Sequence, residues 1–248
     1  GYLHLGHAKA ALLNNHYAVE NGGTLIVRFD DTNPSKERSE FEDAILSDLR
    51  VLASKSLLLS HTSDYFDRII ELGRTLIKEG KAYCDNTERD QMRVERDEGV
   101  ESECRRISAE DNLLIFDEMV RGGMREYCVR AKIDMKSSNK AMRDPVIFRS
   151  NDECHYRVGN RLQNLSNLRL CVSSCRFLEG VTHTLRTNEF RDRNAQYRWF
   201  VESLRLGGVP RIVDFARLNF EDTVLSKRKL KYFVEHKGIA WDDPHLPT

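Results

Sequence analysis

Two histidines three residues apart open the chain, within Gly1-Tyr2-Leu3-His4-Leu5-Gly6-His7-Ala8-Lys9-Ala10. A helix starting near Leu5 would set both imidazoles at its first turn. Unpaired backbone N–H groups and the positive end of the helix dipole favour phosphate there. Gly6 leaves no side chain between them to hold a ligand away. Taken alone, the pattern fits a pair of surface or capping histidines at least as well. Near the other end, Leu225-Ser226-Lys227-Arg228-Lys229-Leu230 places three consecutive cations beside a serine and ahead of an amphipathic run. Lysines in such a place can meet phosphates whose charge grows in a transition state. Between these two stretches lies Arg28-Phe29-Asp30-Asp31-Thr32-Asn33-Pro34. Its two carboxylates suit a ligand ammonium group or the capping of the next helix.

The elements that must carry these residues follow from periodicity. Alanines 8, 10 and 11 favour a helix that Asn21-Gly22-Gly23 closes. Residues 24–29 then read as a short buried strand ending in the two aspartates. That β–α–β order is the usual geometry of a nucleotide crevice. Helices are expected at 35–55 and 65–79, and a strand at 80–84. Residues 87–122 change character, with one charge-dense helix over 88–106 and a second around Phe116 and Met119. The segment reads as solvated and inserted, outside the main core. Residues 127–134 alternate like a half-exposed strand, with 144–149 as its neighbour. Eight basic residues crowd between Arg121 and Arg149. Of these Arg130, Lys132 and Arg143 are the candidate contacts to an RNA backbone, a solvated face being the alternative. A strand around Gly180-Val181-Thr182-His183 leads through Arg186 into a helix over 196–204.

Composition sets the bounds. The chain has 248 residues, 31% charged and 40% hydrophobic, with 39 basic against 39 acidic side chains. This is a soluble, globular balance with room for one or two domains. Zero net charge announces no nucleic-acid partner, yet it permits a local basic surface. No apolar run is long enough for a membrane span, and no secretory apolar region opens the chain. Of six cysteines only Cys171 and Cys175 are close, with no second pair to complete a metal set. A reduced intracellular protein without a metal site is expected. Gly1 stands where an initiator methionine would be, so the chain reads as a piece of a longer protein.

Together the motifs form a resemblance. His4-Leu5-Gly6-His7 resembles the His-Ile-Gly-His signature of class I aminoacyl-tRNA synthetases, and Leu225-Ser226-Lys227-Arg228 a shortened Lys-Met-Ser-Lys-Ser. The stretch 28–34 is similar to glutamyl- and glutaminyl-tRNA synthetases. Asp144-Pro145, Gly180-Val181-Thr182-His183 and Trp241-Asp242-Asp243-Pro244 extend the match over nearly the whole chain. The resemblance implies a Rossmann-like α/β catalytic domain, in halves at 1–82 and 181–248. An α+β acceptor-stem-binding domain would be inserted at 83–180. It further implies ATP with its magnesium, an amino acid and the acceptor end of tRNA as substrates. His4, Gly6, His7, Leu225, Ser226 and Lys227 would bind ATP, with His4, His7 and Lys227 acting in catalysis by positioning and charge stabilisation. Arg28, Asp30 and Arg186 would line the amino-acid site. Glutaminyl enzymes resemble Leu-Cys-Thr where this chain has Leu185-Arg186-Thr187, and a cation there suits the side-chain carboxylate of glutamate. The surrounding sequence is similar to archaeal and eukaryotic cytosolic forms, and assembly with other synthetases is a further expectation.

One run departs from the pattern. Where the family has Tyr-Pro-Thr-Tyr-Asp-Phe, this chain reads Leu165-Ser166-Asn167-Leu168-Arg169-Leu170. Arg169 reverses the charge that would attract a substrate ammonium group, and both aromatic walls are lost. The codons CTA TCC AAC CTA CGA CTT encode the observed run. Shifted by one nucleotide and completed by the T of a Cys171 codon, they read TAT CCA ACC TAC GAC TTT, the family sequence. Paired frame errors bracketing about residues 161–177 therefore account for the run. Genuine divergence would instead give an inactive or altered relative.

Overall fold

The computed structural model describes residues 3–32, 39–52, 57–150, 157, 176–218, 227–240 and 243, with side chains at all of these except 39–41, 227, 228 and 231. Helix α1 (Leu5–Glu20) is followed by β1 (Leu25–Phe29), α2 (Ser39–Leu52) and β2 (Leu57–His61). Strands β1 and β2 pair in parallel, with Leu25 opposite Leu57 and Phe29 opposite His61. A second parallel pair joins β6 (His183–Thr187) to β7 (Arg211–Phe215) across helix α6 (Arg193–Ser203). The expected βαβ organisation is present in both halves of the chain. Helix α7 (Lys227–Lys237) follows.

Between the two parallel pairs lies an antiparallel sheet of β3 (Ala82–Asp85), β4 (Cys128–Ala131) and β5 (Val146–Arg149), in that order. It is served by α3 (Phe66–Lys78), α4 (Arg89–Glu98) and α5 (Ala109–Arg121). In α3 Phe66, Ile69, Ile70, Gly73, Leu76 and Ile77 fall at spacings of three and four, so one face is buried. Against that face pack Phe116 and Met119 of α5, Val129 of β4, and Ile147 and Phe148 of β5, each 0% exposed. Burial of each such side chain stabilises the fold by about 1.5–3 kcal/mol relative to exposure. Tyr197, Phe200 and Val201 of α6 close the same core. The core thus runs across the expected boundaries at 82 and 180.

Three sequence expectations are corrected here. The charge-dense helix does not run over 88–106. It ends at Gly99, whose φ of +73° favours glycine and whose added Cβ would lie 2.7 Å from the Met135 carbonyl oxygen. A 3-10 turn then covers Glu103–Arg106. Residues 87–122 are not outside the core, because α5 supplies two of its fully buried side chains. Strand β4 is buried at all four positions, being central in its sheet and covered on both faces. Alternating polar letters mislead at such a strand when its polar member has an internal partner.

That partner network is built on Asp85 and Asp144, both 0% exposed. Arg130 Nη1 donates to Asp85 at 2.7 Å, and its Nε donates to the Asp144 carbonyl at 2.8 Å. The Asp144 carboxylate accepts from Tyr83 Oη, Arg105 Nε and the Ile133 backbone N–H. Each charge at the centre of this network, Asp85, Arg130 and Asp144, has several partners, the condition under which burial is tolerated.

Candidate active site

The two histidines build the start of α1. His4 is its N-cap, and its Nδ1 accepts from the Gly6 N–H at 3.1 Å. His7 Nδ1 accepts from the His4 N–H at 3.3 Å, and the two rings stack with centroids 3.8 Å apart. The capping reading is therefore the observed one. It is also compatible with phosphate binding. When Nδ1 is an acceptor, a neutral imidazole carries its proton on Nε2. Both exposed rings then present an Nε2–H donor beside the positive end of the helix. Gly6 is required for the arrangement: a Cβ there would lie 2.9 Å from His4 Cε1.

Two side chains staple α1 to the far half of the chain. Lys9 Nζ donates to the Ala216 carbonyl at 2.7 Å and sits 5.5 Å from the centre of the Phe215 ring. Asn14 bonds the Leu185 backbone in both directions, donating at 3.1 Å and accepting at 3.3 Å. The helix therefore lies against β6 and the carboxyl end of β7. Carboxyl ends of parallel strands are where α/β folds take their ligands.

Arg28, in β1, donates to Glu179 Oε2 at 2.5 Å, and Ser60 of β2 donates to the other oxygen of that carboxylate. The Glu179 side chain is 2% exposed, so this pair ties the first parallel pair to the segment entering β6. Asp30 is exposed just beyond β1. Asp31 is 1% exposed and accepts from the backbone N–H and hydroxyl of Ser63, at 2.8 and 2.6 Å. Asp31 thus anchors the 3-10 turn Thr62–Tyr65 after β2, while the chain leading into α2 lies outside the described residues.

Arg186, in β6, is held mostly inside, with Asp214 of β7 3.9 Å away. Burial lowers its pKa, an effect that Asp214 partly offsets. Its Nε and Nη2 have no hydrogen-bond partner among the described residues. Nearby Arg176 is pushed down to about 10, first by burial; Tyr197 opposes that shift, and Arg28 and Arg186 add to it. Three guanidinium groups thus gather around one tyrosine, a neighbourhood that would welcome an anionic group. Lys227 opens α7, but its side chain lies outside the described residues, as do Leu225, Ser226, Cys171, Cys175 and the run 165–170.

Of the expected RNA contacts, Arg130 needs correction. Arg130 is fully buried on Asp85 and cannot reach a ligand without unfolding its sheet. Lys132 donates to the Arg105 carbonyl, and Arg143 to the carbonyls of Ser137, Arg96 and Asp97. Arg130 holds its sheet from within, while Lys132 and Arg143 brace loops from half-exposed positions. Sequence reasoning passed over Lys9, Asn14 and Asp214. Nothing local marks them, because their partners lie far along the chain or on an adjacent strand. Among the described residues no group of three or more His, Cys, Asp or Glu side chains is placed to hold a metal ion.

Comparison with known proteins adds a family. The profile described as tRNA synthetases class I (E and Q), catalytic domain, matches residues 1–248. The chain is 57% identical over 249 residues to a probable cytoplasmic glutamate–tRNA ligase of Encephalitozoon cuniculi, covering all of this chain and 39% of that protein. It is 52% identical over 252 residues to the cytoplasmic glutamate–tRNA ligase of Saccharomyces cerevisiae, covering all of this chain and 36% of that protein. The chain therefore spans less than half the length of these curated relatives. Its fold matches the crystal structure of a glutamate–tRNA synthetase from Elizabethkingia anophelis with a TM-score of 0.67 at 16% identity, over 94% of this chain and 52% of that one. The chain belongs to the class I tRNA synthetases of the E and Q type and carries sequence of their catalytic domain.

Proposed function

We propose that the protein containing this chain is a cytoplasmic, ATP-dependent glutamate–tRNA ligase. The observation that carries the choice of glutamate is Arg186, a largely buried guanidinium with two N–H groups that lack partners among the described residues. Glutamate offers it a side-chain carboxylate. Glutamine would leave those N–H groups without a carboxylate in hydrogen-bond reach, since Asp214 stands 3.9 Å away, a penalty that discriminates strongly in a buried site. The names of relatives at 57% and 52% identity support the same reading.

In the first step an oxygen of the glutamate α-carboxylate attacks the α-phosphorus of ATP, and the bond to pyrophosphate breaks. In the second, a hydroxyl of the terminal ribose of tRNA takes the acyl group and AMP leaves. His4 and His7 hold phosphate oxygens through Nε2–H at the start of α1, with Gly6 leaving space above them. Lys227 answers the charge on the departing pyrophosphate, and a magnesium ion held by the ATP phosphates would neutralise part of the same charge. Asp30 offers its exposed carboxylate to the substrate ammonium group. Arg28 shapes the same wall through its bond to Glu179. The reaction needs no side-chain nucleophile, so positioning and charge stabilisation are the whole of the catalysis. Within this reading the segment 83–180, which carries the antiparallel sheet, faces the acceptor end of tRNA. Bifunctional glutamate/proline ligases among the relatives make a shared assembly with another synthetase a natural extension.

ATP–pyrophosphate exchange with glutamate or glutamine, with tRNA(Glu) present, tests the proposal in the full-length protein. Exchange with glutamate alone supports it, and preference for glutamine overturns the choice of amino acid. No exchange with either favours an inactive, RNA-binding relative, in which Arg169 is genuine.

A further inference from the structure

Arg186 and Asp214 stand opposite one another in the parallel register of β6 and β7, each the last residue but one of its strand. Side chains at such positions project from one face of the sheet, beside the carboxyl ends where ligands are taken. Arg186 Nε comes to 3.9 Å from Asp214 Oδ1, close enough for an ion pair but too far for a hydrogen bond. Both atoms are buried, and neither has a hydrogen-bond partner among the described residues. The other oxygen, Asp214 Oδ2, lies 3.6 Å from Nε of Arg191, whose side chain is 79% exposed. One carboxylate is thus shared by two guanidinium groups, and the trio keeps one positive charge.

Ion pairs kept for stability look different in this fold. Arg130 meets Asp85 at 2.7 Å, and Arg105 meets Asp144 at 2.8 Å. Buried donors and acceptors left unmet cost free energy, so a purely structural pair would close in the same way. Here Nε faces its carboxylate across a gap while Nη2 stays unclaimed among the described residues. A guanidinium is a rigid planar fork, so an anion at its Nε edge sets the direction in which the Nη groups point. We infer that Asp214 is the positioning residue of Arg186, steadying the guanidinium at its Nε edge and leaving Nη2 to the side-chain carboxylate of the amino acid. This rests on the reading that Arg186 receives glutamate, and it adds a charge count to that reading. Glutamate brings Arg186, Arg191 and Asp214 to neutrality, whereas glutamine leaves them with one positive charge.

The test is glutamate-dependent ATP–pyrophosphate exchange by the full-length protein with tRNA(Glu) present. Asp214→Ala should raise KM for glutamate on the order of tenfold, with kcat changed by less than about threefold. Preference for glutamate over glutamine should fall by a similar factor. In an Arg186→Ala background the same substitution should change KM by less than about twofold, because Asp214 acts only through that arginine. Asp214→Asn keeps an oxygen facing Nε and should recover most of the loss. Circular dichroism melting checks that each variant is folded. If the alanine variant is not, Asp214→Ser, too short to steady Nε, replaces it in the cycle. An unchanged KM in the folded variant overturns the inference and leaves the ligase reading standing. So does a rise in KM that persists without Arg186, or an asparagine variant as impaired as the alanine one. A wild-type protein that prefers glutamine, or activates neither amino acid, overturns the ligase reading and the inference with it.

Discussion

The antiparallel unit and the parallel pairs are built to different standards. Strands β3 and β4 are buried at every position, whereas β1 is only half-buried throughout and α1 has no fully buried residue. The first region rests on a continuous apolar core with internally paired charges. The second, which carries the histidines and Arg186, is joined by a few long-range polar staples: Lys9 to Ala216, Asn14 to Leu185 and Arg28 to Glu179. Stability is concentrated in one region and the proposed chemistry in the other. Residues that bind a ligand must stay open to it, so they cannot also be sealed in the core.

That contrast can be broken from either side. The largest effect expected is on Arg130→Met, which leaves Asp85 buried without its cation. It should cost about 3–5 kcal/mol in urea unfolding, and a loss below 1 kcal/mol would show that the network is not a unit. Arg186→Ala should do the converse. It should lower kcat/KM for glutamate on the order of a hundredfold or more, while thermal melting moves little. An equal loss of stability would make Arg186 a structural residue. Asn14→Ala removes two bonds across the halves and should cost about 1–2 kcal/mol, with the site failing before the core in hydrogen exchange.

Acid should separate the regions too. Burial works against ionisation of Asp85, but bonds from Thr87 and Arg130 prevail and hold its pKa below the ordinary 3.8. A carboxylate depressed in the folded state stabilises it fully above its unfolded pKa, and that stability is lost as pH falls through the folded value. Urea midpoints should therefore be insensitive to this group above about pH 5 and fall steadily below about pH 4. The smallest effect concerns thiols. Burial pushes Cys84 up to about 12 and Cys128 up to about 11. At neutral pH iodoacetamide should label Cys104, the partly exposed one of the three, and reach the other two only on unfolding.

Much of the architecture was legible because it rests on local rules. Helix α1 begins and ends where the His4 cap and Asn21-Gly22 say it should, and α3 shows its buried face in its spacing. Strand β2 escaped notice because Leu57-Leu58-Leu59 lacks alternation and follows a helix closely. The direction of Arg130 escaped for a different reason. A cation in a strand looks solvent-facing until its carboxylate is found 45 residues away. The same limit hid Glu179 as the partner of Arg28, 151 residues distant. Motif residues announce themselves by type and order, but the side chains that position them depend on pairing across the fold.

The bond from Lys9 to Ala216 links residues 207 apart. Synthesis proceeds at about 5–20 residues per second, so Lys9 waits roughly 10–40 s for Ala216 to be made. Through that interval α1 carries Leu12, Tyr17 and Val19 on its surface, all still largely exposed in the finished fold. The antiparallel unit, complete by residue 149, has its sheet available long before. Order of synthesis thus opposes order of assembly: α1, the helix proposed to hold the nucleotide, is made well before the strand end against which it docks.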